Sequence, residues 1–207
     1  GSPFPGPGDR RSHFGEARFW LEKALEPGYA PLDPAVKARL IYRYALNAHI
    51  YLPWPKDRPW LEEAIATFWA LGEPYRRDCA NALTWLGYRL TNNGEREAGL
   101  HCLREGLAIA EAIGDRNAQV FALNFLLWAT LDFDRDYDRA WMMAERGLSI
   151  ARETGDGYLI AVHLHNMAEI ETQRGCYVEA WRCWHQVLEL HATPNPPGMM
   201  LQALRRL

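Results

Sequence analysis

From Phe14 to His191 apolar residues return every three or four positions almost without interruption, the period of helices that each bury one face. The interruptions are short turn signals, not long loops. Gly72-Glu73, Gly114-Asp115 and Gly155-Asp156 each close such a run, 42 and 41 residues apart, and further breaks fall between them at 53–59, 92–95, 132–136 and 174–176. Each period of about 40 residues therefore holds two helices and a tight turn. The pattern predicts helices over 14–26, 34–52, 58–71, 75–92, 96–113, 116–131, 137–154, 157–174 and 177–191, stacked as antiparallel hairpins in an all-α solenoid.

Residues repeat as well as spacing. Tyr44-Ala45, Leu86-Gly87, Leu126-Leu127 and Met167-Ala168 occupy one place in the first helices: a large apolar residue, then a mostly small one that lets helices approach. Leu61 to Ile65, Leu103 to Leu107 and Ala144 to Leu148 share a pattern in the second helices, with Gly99, Ala140 and Ala180 as the small residue one turn earlier. Leu127 departs from the small residue expected there, and Pro53-Trp54-Pro55 lengthens the first turn. Asp33-Pro34 reads as an N-cap followed by a first-turn proline, and Asp115 and Asp156 as caps after glycine stops.

Composition narrows the class. The 207 residues are 48% hydrophobic and 24% charged, with 23 Lys and Arg against 26 Asp and Glu, which is neither a disordered composition nor the basic excess of a nucleic-acid binder. No apolar run reaches the roughly 18 residues of a membrane span, and no signal peptide opens the chain, so the reading is a soluble, cytoplasmic protein. Gly1-Ser2 reads as a cloning remnant, and residues 1–13 as a flexible lead-in. Cys79, Cys102, Cys176 and Cys183 form no CxxC pair and read as free thiols. Nine Trp are many, and must fill inter-helix gaps or face a partner.

The repeated residues, above all Ala122-Leu123-Asn124-Phe125-Leu126, Gly106-Leu107-Ala108-Ile109-Ala110 with Gly114-Asp115, and Gly147-Leu148-Ser149-Ile150-Ala151 with Gly155-Asp156, resemble the long form of the tetratricopeptide repeat. The array is similar to the C-terminal sensor arrays of bacterial STAND-type signalling NTPases, including transcriptional activators of the maltose-regulator, AfsR and LuxR types. The resemblance covers about Gly15 to His191 and implies a right-handed superhelix over 14–193 whose concave face belongs to the first helices. Residues 15–25 read as a second helix without its partner, and 194–207 as the start of a further first helix, as in a segment of a longer array. No GxxxxGK[ST] phosphate loop occurs, so NTPase and effector domains would belong to the parent chain.

Chemical motifs weigh less than this. Asp132-Phe133-Asp134-Arg135-Asp136 opens like a calcium loop but has Tyr137 at the glycine place and Met143 at the closing acid, which favours a solvated acidic turn. His163 and His165 lie two apart and so face different ways, as do Cys183 and His185; Cys176 and Cys183 lack the rest of a ligand set, and no metal or cofactor is expected. No GxSxG nucleophile occurs, which makes an enzyme with a dispersed triad the weakest reading.

Mapped onto the concave face that the resemblance implies, one row is Tyr42, Thr84, Asn124 and His165, and the next is Leu46, Tyr88, Trp128 and Glu169. Arg39, Asn81 and Phe121, then His49, Thr91 and Thr172, flank them. Aromatics mixed with amides and hydroxyls suit recognition. Most of the other tryptophans, among them Trp85, Trp141, Trp181 and Trp184, are expected to fill seams. The sequence thus predicts a non-catalytic sensor that binds a small inducer or protein partner in its groove, without direct contact to nucleic acid or membrane. The alternative is a scaffold for protein partners or self-association.

Overall fold

A computed structural model describes residues 32–48 and 54–190. Among these residues are eight α-helices and no strand: α1 (Pro34–Ala48), α2 (Arg58–Leu71), α3 (Arg76–Asn92), α4 (Arg96–Ala112), α5 (Arg116–Asp134), α6 (Tyr137–Thr154), α7 (Gly157–Arg174) and α8 (Tyr177–Leu190), with a 3-10 turn (Glu73–Tyr75) before α3. They pair as hairpins α1–α2, α3–α4, α5–α6 and α7–α8. The helix expected over 14–26, the segments 1–13 and 194–207, and His49 lie outside the described residues.

The ends follow local chemistry. Asp33 accepts hydrogen bonds from the Ala35 and Val36 backbone N–H groups, Asp115 from Ala118, and Asp156 from Tyr158 and Leu159. Each carboxylate satisfies donors that the first turn leaves open. Gly155 closes α6 and Gly175 closes α7 in the left-handed region, at φ 69° and 81°. The break expected at 132–136 is shorter than that. α5 continues through Asp134 because Phe133 packs against the buried Leu100, Leu103, Leu126 and Ala129, Arg96 lies over its ring, and the same Arg96 pairs with Asp134. Only Arg135, at φ 49°, and Asp136 make the turn, and Asp136 caps α6 through the Arg139 N–H.

The seams inside the hairpins show how Leu127 is accommodated. A Cβ on Gly87 would stand 2.7 Å from Leu103 Cγ and 2.8 Å from the Gly99 carbonyl oxygen, so α3 and α4 touch backbone to backbone. In the next hairpin the large residue changes sides: Leu127 is buried on α5, and Ala144 replaces leucine on α6. In the last, Ala168 and Trp184 share the seam. Side-chain volume is exchanged across each seam, so the helices stay close at the density of a packed core.

First helices form one layer and second helices the other. α3 lies directly against α5 and touches α1, whereas the second helices meet their neighbours mainly through the first helix between them. Arginine–carboxylate pairs cross from hairpin to hairpin along the edges: Arg39–Asp78, Arg77–Asp115, Arg58–Glu95, Arg96–Asp134, Arg146–Glu111 and Arg174–Asp138. One pair is buried instead. Asp57 is fully buried, with Arg89 Nε at 2.8 Å.

Candidate functional site

The face that the resemblance makes the inner one carries rows of residues one helical turn apart on α1, α3, α5 and α7. Its centre is aromatic. The Tyr88 ring stands 4.5 Å from Phe125 and 4.9 Å from Trp85, and Phe121 meets Phe125 edge-on at 5.0 Å. Trp85 is buried, while Tyr88, Phe121 and Phe125 are half-buried. The result is a continuous aromatic shelf from α3 to α5 with its rim open to solvent, a rigid surface that costs little ordering on contact.

Beside the shelf, Asn124 on α5 accepts a 2.7 Å hydrogen bond from Asn166 Nδ2 on α7. The half-buried Trp128, one turn on from Asn124, packs against the core of the last two hairpins. Tyr88, Phe121, Asn124 and Trp128 are thus gathered on α3 and α5, with Asn81, also half-buried, on α3.

The other expected residues lie deeper or to one side. Thr84 is 1% exposed, its hydroxyl set against Gly106 of α4, so it belongs to the seam inside the hairpin. Tyr42 is buried as well, and burial pushes its phenol up to about 12. His165 meets Trp184 edge-on at 4.8 Å, which turns its ring toward α8. Glu169 is buried. The Thr91 hydroxyl donates to the Tyr88 carbonyl at 2.9 Å and the Thr172 hydroxyl to the Ala168 carbonyl at 2.7 Å. Arg39 is held by Asp78, and Leu46 is half-buried.

Phe125 and Trp85 are the site residues that the expected rows omit. Each stands one position after its row member, Asn124 and Thr84, and the two rings meet edge-on at 5.9 Å. Their signal was aromatic size at places where the repeats otherwise vary: 85, 125 and 166 hold Trp, Phe and Asn.

Titratable chemistry on this face is muted. Burial raises the thiols of Cys79, to about 11, and of Cys102 and Cys183, while a hydrogen bond to Glu171 raises that of Cys176. Such thiols hold their protons and are poor nucleophiles. His163 points away from the groove into α6, and burial lowers its imidazole to about 4. No group of three His, Cys, Asp or Glu among the described residues is placed to hold a metal, and no described helix is long and apolar enough to cross a membrane.

No protein-family model and no curated protein matches the chain. Among solved structures it is similar to a signal transduction ATPase with numerous domains (STAND) protein with a tetratricopeptide repeat sensor from Pyrococcus horikoshii, at TM-score 0.67 and 17% identity over 95% of this chain and 28% of that one. It is also similar to BtubC from P. vanneervenii, at 0.57 and 19% over 91% and 78% of the two chains. A third likeness is to kinesin light chain nearly identical TPR-like repeats from Podosopora anserina, at 0.52 and 14% over 91% and 98%. The chain thus spans under a third of the STAND protein's length. At these identities the likeness concerns the fold, and by its fold this chain is a tetratricopeptide-like array of helical hairpins.

Proposed function

We propose that this array is the non-catalytic recognition part of a larger STAND-type signalling protein, and that its inner face binds a small inducer or a protein segment. The observation that carries the reading is the aromatic shelf of Tyr88, Phe121 and Phe125, continued by Asn124 and Trp128. Half-buried rings over a rigid helix layer offer apolar area, and the neighbouring amides fix orientation. Edge charges are paired off, as Arg39–Asp78 and Arg77–Asp115 illustrate, so shape and stacking dominate over bulk charge. An occupant that spans α3, α5 and α7 would change how neighbouring hairpins lean on one another, a direct route to an NTPase switch in the parent chain.

Calorimetry with a panel of metabolites and peptides tests this on the intact chain. Tyr88→Ala and Trp128→Ala should each weaken a genuine groove ligand by about tenfold or more, the usual effect of losing an aromatic anchor. Unchanged affinity in both, with native circular dichroism, rejects the surface. A scaffold that senses no small molecule is the second reading. It is favoured by Tyr177, Val178 and Trp181, which stand exposed together on α8. Concentration-dependent association in light scattering, with no small-molecule binding, would select it.

A further inference from the structure

The outer side carries a second hollow with no part in the groove. A cavity of about 690 Å³ opens between α6 and α8, with α7 as its floor. Leu148, Leu164, Met167 and Cys183 give it an apolar base, and it adjoins a smaller hollow of about 350 Å³ that shares Arg152, Leu164 and Gln186. The combined space is of the size that small ligands occupy.

Comparison with the preceding hairpin explains why it is open. The residue 40 positions before Cys183 is Met143, which reaches into the cleft between α4 and α6 and packs against Leu103, Leu123 and Leu126. The residue 40 before Gln186 is Arg146, which ties that cleft shut by its pair with Glu111 of α4. Here the thioether has become a short thiol, and the clamp has become Gln186 opposite Arg152. Cys102 occupies the same place in the first cleft, but there it packs with Ile65 into the buried core around Leu83 and Leu86.

The rim gives the cleft a polarity. Glu145, Glu153 and Glu189 line it against one cation, Arg152. Glu153 is engaged by Arg116, and Glu189 stands 3.4 Å from His185. Among the described residues no ion pair joins Glu145, which is exposed at the mouth. An apolar floor beneath an acid-rich rim suits a molecule with an apolar body and a basic nitrogen. We propose that the α6/α8 cleft is a binding site for small apolar amines, on the face opposite the groove and independent of what the groove binds.

The test titrates octylamine, octanol and octanoate into the full chain by calorimetry. The expected result is saturable binding in the order amine, alcohol, carboxylate. Cys183→Met restores the plug of the preceding hairpin and should weaken octylamine at least tenfold. Glu145→Gln alters only an exposed side chain, so folding is preserved, and it should bring amine and alcohol within about threefold of each other. Failure to saturate, or equal amine affinity in natively folded Cys183→Met, overturns the proposal. An alcohol or carboxylate that binds as tightly as the amine overturns its amine specificity.

Discussion

His163 gives the array a pH dependence that can be worked out in advance. Its ring is fully buried in a slot that exists because residue 147 is glycine: a Cβ there would stand 2.1 Å from His163 Cε1. Burial lowers the imidazole from 6.5 to about 4, with the Val120 backbone opposing weakly. The protonated form is therefore disfavoured in the fold and free to form in the unfolded chain. Stability from this residue is intact above pH 6.5 and is lost as pH falls toward 4, because over that window the unfolded state binds more protons. Linkage gives a loss of about 1 kcal/mol at pH 5.5 and about 2–3 kcal/mol at pH 4.5 relative to neutral pH. The assay is urea unfolding by circular dichroism at pH 7.5, 6.5, 5.5 and 4.5, on the native chain and on His163→Phe. Carboxylates titrate in both proteins, so the difference between the two pH slopes isolates the imidazole. Parallel slopes would refute the argument, since they mean the ring is protonated as easily inside the fold as outside.

Two further outcomes follow from the packing. Gly87→Ala drives a methyl into the Gly99 carbonyl and the Leu103 backbone nitrogen, at 2.8 and 2.9 Å, where no side chain can swing aside. A loss of about 1–3 kcal/mol in urea midpoint is expected, and a change under 0.5 kcal/mol would show that α3 and α4 slide apart cheaply. Asp57→Ala removes the buried carboxylate beside the Arg89 guanidinium and should cost about 3–5 kcal/mol, whereas Asp57→Ala with Arg89→Met should recover much of it; no recovery in the double variant would count against the buried pair.

The helices were legible in the sequence because apolar periodicity and turn residues are local signals. Predicted and observed bounds agree closely from α2 to α8, apart from α5, where Phe133 is held by side chains about 30 residues away. The inner face was legible by row but not by depth. Neighbouring helix positions differ by about 100° in direction, so whether Thr84 lines the groove or the seam depends on what stands opposite. That is Gly106 of α4, a residue whose lack of a side chain draws the helices together. Trp85 reads as a seam aromatic for the same reason, and Phe125 only as part of the repeat motif. Their contact with Tyr88 joins two helices about 40 residues apart, and no local pattern reports it.

Matched volumes across the seams also bear on how such a chain could be assembled by gene duplication. Gly87 is fitted to Leu103, Leu127 to Ala144, and Ala168 to Trp184, each within its own hairpin. A hairpin can therefore be copied or moved whole and bring its complement along. A single exchanged helix cannot: α6 beside α3 would leave a void at Gly87, and α4 beside α5 would set leucine against leucine. Among the close approaches at helix glycines, His163 in the Gly147 slot is the one that crosses a hairpin boundary. It binds the last two hairpins into one heritable block, and recombination that separates them would leave either an imidazole with no slot or a slot with no imidazole.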